Sequence, residues 1–284
     1  MNAQRLPQKI LAALWIGAAG MFFAASHAEA ETPSAQILSE QNPQDAEAQY
    51  ALGEAYDKGC KKAEAVKWFR LAAEQWHTEA QLKLGMAYLG QGDVVEGIRW
   101  VTRSAEQDNI KAALVLGSFY SSGSKPDYAE ALEWVKPFAE EGNVEAQSFL
   151  GESIYRHDAA TAQDLEESRK WLRLAAEQGY ADAQVLLGEI YMHGEEGLKA
   201  DKVEGVRWFR LAAAQENIFA KLWLGLAYLK GDGVEQNRET AREWLKQTGM
   251  DMENMEKVFN ALEAGYEFER YSRAMRKYSM RKYH

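Results

Sequence analysis

Between residues 45 and 249, small and apolar residues return at helical spacing. Ala, Leu and Tyr stand at i, i+4 and i+8, first as Ala48, Leu52 and Tyr56 and then in sets that begin at Ala80, Ala112, Ala146, Ala183 and Ala220. A step of four residues drifts by about 40° around a helix, so the three positions share one face. A Gly follows each Leu. Without a side chain it lets a neighbouring helix approach closely, at a cost of roughly 1 kcal/mol in helix propensity. A second pattern trails the first: Trp68, Trp100, Trp134, Trp171, Trp208 and Trp244 each have a small residue three places earlier (Ala65, Gly97, Ala131, Ser168, Gly205, Ala241). Five of the six also have an Ala five places later. Large against small at helical spacing predicts a second helix interdigitating with its neighbours.

The distances between these marks are unequal in an informative way. Each Ala lies five residues before its Gly, and each of the first five Trp residues lies twelve before the next Ala. The Gly-to-Trp interval alone varies, through 15, 15, 17, 20, 20 and 19 residues. A self-similar chain of this period is a repeat array of helix-turn-helix units. The units fall at about 45–76, 77–108, 109–142, 143–179, 180–216 and 217–249, with a rigid turn between each second helix and the next first helix. Glu141-Gly142 and Gln178-Gly179 end second helices, where Gly suits a left-handed cap.

Residues 220–234 read A-x-x-x-L-G-x-x-Y-x-x-G-x-G-V, with Gly231, Gly233 and Val234 in the loop, and residues 171–179 read W-x-x-x-A-A-x-x-G. These motifs resemble the Sel-one-like repeats, a branch of the tetratricopeptide-like helical solenoids. The resemblance covers residues 45–249. It departs at Ile154, which replaces Tyr, in several loops that lack the Gly pair, and at Thr248-Gly249, which replaces Ala-Ala. It implies an all-α, right-handed α-solenoid of six repeats. It also implies a non-enzymatic adaptor role in envelope assembly, signalling or bacterium–host contact.

The flanks differ from the repeats. Arg5 and Lys9 precede an apolar run from Ile10 to Ala25, and Ala28-Glu29-Ala30 offers a cleavage site. Residues 1–30 therefore read as a secretory signal cleaved after Ala30. An uncleaved anchor is the alternative, and sixteen apolar residues are a little short of the roughly 17–25 a span needs. This places the mature chain in the periplasm or outside the cell. Residues 31–44 form a polar linker. In residues 250–265, Met252, Met255, Phe259 and Leu262 make an apolar stripe, expected to be a helix that caps the last repeat. Residues 266–284 form a basic aromatic tail in which Arg270, Arg273, Lys277 and Arg281 lie opposite Phe268, Tyr271, Met275 and Tyr278. Such a tail suits an anionic membrane surface or an acidic partner; a frayed solubilising end and a helix docked on the body are the alternatives.

Charge narrows the function. Residues 31–269 hold 25 basic and 42 acidic residues, a net of −17, while residues 270–284 hold six basic residues and no acid. An acidic body lacks the phosphate-neutralising face that nucleic-acid binding requires. Cys60 is the only cysteine, which rules out an intramolecular disulfide; it reads as a small turn residue. The five His residues show no i, i+4 pair, and no phosphate loop or nucleophile elbow occurs, so neither a metal nor another cofactor is expected. Ser122 and Lys125 fit S-x-x-K, the nucleophile motif of penicillin-binding enzymes and serine β-lactamases, but no S-D-N or K-T-G partner accompanies them. A cell-wall enzyme of that type is the second reading of the chain, and membrane-surface docking through the tail is the third.

Stacked helical hairpins curve and present a concave surface of first helices. The positions two and six residues after each leading Ala point away from the Ala–Leu–Tyr stripe. Tyr50, Glu54, Leu82, Met86, Leu114, Ser118, Glu152, Val185, Glu189, Leu222 and Leu226 are therefore the candidate groove residues. Their apolar and acidic character suits a protein or peptide partner. The alternative is that each first helix packs on both sides and buries them.

Overall fold

The computed structural model describes residues 44–122, 126–157, 160–195 and 197–249. Twelve α-helices occupy these residues, and the one strand-like feature among them is a bridge between Glu195 and Leu198. The helices alternate as first and second members of the six repeats. They are α1 (Ala46–Lys58), α2 (Lys62–Glu74), α3 (Thr78–Gly90), α4 (Val94–Ala105), α5 (Ile110–Ser121), α6 (Tyr128–Glu140), α7 (Val144–Arg156), α8 (Ala162–Glu177), α9 (Ala181–His193), α10 (Lys202–Ala213), α11 (Ile218–Lys230) and α12 (Arg238–Lys246). The expected signal segment, nearly all of the linker, the capping segment and the tail lie outside the described residues, as does Lys125. Two compact units result, with α1–α8 in one, up to Gln178, and α9–α12 in the other, from Gly179.

Side-chain caps mark ten of the twelve helix starts among the described residues. Asp45, His77, Asn109, Asn143 and Asn217 accept the backbone N–H of the leading Ala of their first helices. Asp93, Asp127, Thr161, Asp201 and Asn237 do the same for five second helices. Caps of this kind contribute about 1 kcal/mol each. The turns that follow the second helices carry a left-handed residue at one fixed place. Gly142 (φ 96°) and Gly179 (φ 91°) fill it as the sequence leads one to expect, but Trp76 (φ 66°), Asp108 (φ 60°) and Glu216 (φ 63°) hold the same conformation with a side chain.

The glycine of each first helix is a contact surface, and its partner corrects the simple reading of the Trp pattern. A Cβ on Gly53, Gly85, Gly117, Gly151, Gly188 or Gly225 would strike the residue that follows the Trp of the same repeat: Phe69, Val101, Val135, Leu172, Phe209 or Leu245. The Trp itself points aside, about 100° around the helix from that neighbour. Trp100 joins Ala65, Ala72 and Ala73 of α2 in one buried cluster, and Trp134 packs against the cores on either side of it. Large against small therefore also operates between repeats.

Buried amides add a second tie. Gln49, Gln81, Gln147 and Gln184 follow the leading Ala of their first helices and are buried. Each accepts a hydrogen bond from the Gln near the end of its own second helix: Gln75 (2.8 Å), Gln107 (2.5 Å), Gln178 (2.7 Å) and Gln215 (2.9 Å). Gln81 and Gln147 also donate to the carbonyls of Ala73 and Ala139 in the preceding second helix, at 3.2 and 3.1 Å. Cap side chains reach back in the same way, His77 to Glu47 (3.1 Å), Asn109 to Glu79 (3.2 Å) and Asn217 to Asp182 (3.0 Å). Arg70 and Arg210 donate to Tyr88 and Tyr228 of the following first helices. Satisfied buried groups of this kind fix the register of one repeat on the next.

Candidate functional site

Packing decides which part of a first helix stays open. Leu82 is 6% exposed and sits in the core with Val101, Ala112 and Leu116. Val185 (8%) and Leu226 (2%) belong to the core around Phe209 and Leu224. Glu189 (8%) accepts the indole N–H of Trp223 at 2.8 Å. These four expected groove residues are therefore inside the packing, because a first helix meets its own second helix and its neighbouring repeats. Leu114 and Leu222 are partly covered against the cores of their units. Tyr50, Glu54, Ser118 and Glu152 are half-buried, and Met86 is 49% exposed. The tail residues Arg270, Arg273, Lys277 and Arg281 lie outside the described residues.

The register between neighbours can be read from two contacts. Glu54, six residues after its leading Ala, holds Lys83, three after the next leading Ala, at 2.7 Å. Glu189 and Trp223 stand in the same relation. The same offset puts Met86 in register with Val115 and Ser118 in register with Phe149; a Cβ on the adjacent Gly117 would meet the Phe149 ring at 2.8 Å. In the unit of residues 44–178, α3, α5 and α7 thus present a strip of Met86, Val115, Phe119 and Phe149. Met86 and Phe119 (37%) are exposed, and Val115 and Phe149 are half-buried.

Ion pairs stand at both ends of the strip. At one end the Lys83 ammonium is shifted upward, first by its hydrogen bond to Glu54 and against the opposing effect of burial. Tyr50 beside it is also raised, chiefly by burial and then by Glu54, and its ring stacks on His77 at 4.5 Å. At the other end Arg156 grips Glu152 at 2.6 and 2.8 Å. An apolar centre between satisfied charges can bury an apolar side chain of a partner without stranding a charge.

Val115, Phe119 and Phe149 escaped the outward-facing rule, although a signal was present. Repeat one carries Ala51 and Ala55 at the corresponding positions, so aromatic residues there exceed what the repeat requires.

Little else among the described residues suggests chemistry. Ser122 is exposed and its hydroxyl donates to the Phe119 carbonyl at 3.2 Å. No group of three or more His, Cys, Asp or Glu among the described residues could hold a metal ion. Cys60 is a free, exposed thiol in the α1–α2 turn. No helix among the described residues is long and apolar enough to cross a membrane.

Comparison with known proteins agrees with this architecture. The model of the Sel1 repeat matches six times, at residues 46–75, 78–109, 110–143, 144–180, 181–217 and 218–249. Among solved structures, a Sel1 repeat protein from Oxalobacter formigenes is 27% identical, with 77% of this chain and 92% of that one covered, and a TM-score of 0.64. A putative Sel1 repeat protein from Klebsiella pneumoniae subsp. pneumoniae is 23% identical over 71% of this chain and 97% of that one, with a TM-score of 0.44. No curated protein matches the chain.

Proposed function

We propose that this chain, which belongs to the Sel1 repeat family, is a non-enzymatic scaffold that binds another protein along the first helices of repeats two to four. Proteins built from these repeats are generally protein–protein interaction scaffolds and are often extracytoplasmic. The observation that carries the reading is the strip of Met86, Val115, Phe119 and Phe149, with its exposed Met86 and Phe119 and its flanking ion pairs. Exposed large apolar groups are concentrated at interaction sites, and Met adapts its shape to a partner.

The apolar run and the Ala28-Glu29-Ala30 site support export of the mature chain, with the scaffold working in the periplasm or outside the cell in envelope assembly, signalling or contact with a host. The test is affinity capture from intact cells with the mature chain and with Met86→Asp. The scaffold reading expects a defined protein that is captured at least about tenfold less by the variant, at unchanged thermal stability. Equal capture by both proteins removes this face from the account.

A further inference from the structure

The turn from repeat one into repeat two carries an imidazole where its counterparts Asn109 and Asn217 carry an amide. Those two Asn residues use both ends of one side chain. Oδ1 accepts the backbone N–H of Ala112 or Ala220, and Nδ2 donates to the carboxylate of Glu79 or Asp182 on the preceding first helix. His77 reproduces both contacts with its two ring nitrogens. Nδ1 lies 3.2 Å from the Ala80 nitrogen, and Nε2 lies 3.1 Å from Glu47 Oε2 of α1. A backbone N–H can only donate, so Nδ1 carries no proton and the proton of the neutral ring sits on Nε2, facing the carboxylate.

The surroundings hold the ring in this orientation. Its side chain is 14% exposed, and the Tyr50 ring of α1 stacks on it at an interplanar angle of 25°. Its own backbone N–H donates to the Ala72 carbonyl of α2 at 3.2 Å. The charged groups that act on the stacked Tyr50 are Glu47 and Glu54 from α1 and Glu79 and Lys83 from α3, and Glu74 ends α2. Lys83 is held by Glu54 at 2.7 Å.

An amide keeps its donor and acceptor at any ordinary pH, whereas an imidazole changes charge within about pH 5–8. A second proton on Nδ1 turns that nitrogen from acceptor to donor. The Ala80 N–H then loses its side-chain acceptor, and a positive charge stands at the N-terminal end of α3, where the helix dipole disfavours it. The Nε2 proton and its bond to Glu47 persist. Glu47 is 78% exposed, and an ion pair to so exposed a group adds little, so the pair does not restore the lost cap. We propose that His77 is a pH-sensitive cap at the junction of repeats one and two. Neutral, it closes the first turn of α3 and ties that turn to α1; protonated, it releases the turn and stays bound to Glu47. This inference concerns the chain alone and stands apart from the partner reading.

The test follows amide exchange by NMR in the full mature chain at the two ends of the histidine range, about pH 5 and about pH 8. Referred to the intrinsic rate at each pH, exchange at Ala80 should be at least about threefold faster at the acid end, the scale of a lost cap. The Ala112 and Ala220 amides, capped by Asn109 and Asn217, should not respond. In His77→Asn, which copies those two caps, the Ala80 response should vanish. An equal response in wild type and variant, or none in wild type, overturns the proposal. The ring nitrogens give a second, independent readout: at about pH 8 the His77 signals should report a bare Nδ1 and a protonated Nε2. The opposite tautomer overturns the proposal even if the exchange rates agree with it.

Discussion

The Glu189 carboxylate accepts the indole N–H of Trp223 at 2.8 Å, in the register that brings Glu54 to Lys83. One geometrical relation between consecutive first helices thus serves a buried hydrogen bond in one unit and a half-buried ion pair in the other. What fills these two positions decides whether a stretch of the face is core, charged rim or open strip.

Gly85 is held by the backbone as well as by a side chain: an added Cβ would lie 2.6 Å from Val101 Cγ2 and 2.9 Å from the Gly97 carbonyl oxygen. In an ordinary helix interior Gly→Ala adds up to about 1 kcal/mol of stability. Here the overlap reverses the sign, and Gly85→Ala is expected to cost about 1–2 kcal/mol net. Gly90, with nothing within 4 Å of a Cβ, is the control, and Gly90→Ala should be neutral or stabilising. Urea unfolding of the two variants checks this.

Trp76 places a bulky side chain in the left-handed region (φ 66°) and leaves it 69% exposed. Non-glycine residues there carry roughly 1 kcal/mol or more of strain. Trp76→Gly should raise stability by about 0.5–1 kcal/mol, and Trp76→Ala should give no such gain, since Ala keeps the Cβ. A thermal unfolding comparison of the three proteins separates backbone strain from loss of the indole.

Gln81 is 1% exposed, accepts from Gln107 and donates to Ala73. Gln81→Ala removes both hydrogen bonds and opens a cavity, with an expected loss of about 2–3 kcal/mol. Exchange of the amides at the α2–α3 junction should speed up with it.

The pH dependence follows from Lys83. Its pKa is raised in the folded chain, first by the hydrogen bond to Glu54. A raised ammonium pKa contributes stability that is fully present below the unfolded value of 10.5 and is lost as pH rises through the folded value. As pH rises above about 10.5 the wild-type chain should therefore lose more stability than Glu54→Gln, whose Lys83 lacks that partner. Parallel curves for the two proteins would remove the pair from the account.

The spacing of Ala, Leu, Gly, Tyr and Trp made the fold legible. Six copies in register leave one helical reading, and a constant Trp-to-Ala interval marks the turn that the left-handed residues occupy. The binding face was less legible. Angles around an isolated helix put Leu82, Val185 and Leu226 on the outside, but neighbouring repeats cover that side. The open strip is narrow, and only the offset between consecutive helices, seen in Glu54 with Lys83, shows that it runs through Val115 and Phe119. The role of the residue after each Trp was hidden because Phe, Val and Leu all serve there as the apolar neighbour of the Gly and leave no fixed letter. The Ala-Gln pairs at Gln49, Gln81, Gln147 and Gln184 were visible, yet a polar residue beside a helix start reads as surface until its partners are seen.

The most direct test of the scaffold account places a photo-crosslinking residue at Phe119, in the strip, or at Val95, which is 78% exposed at the start of a second helix, and irradiates intact cells. The account predicts a defined crosslinked protein from position 119 and none from position 95, with the product suppressed by Met86→Asp. A product from position 95 alone, or products from position 119 that persist in Met86→Asp, would contradict it.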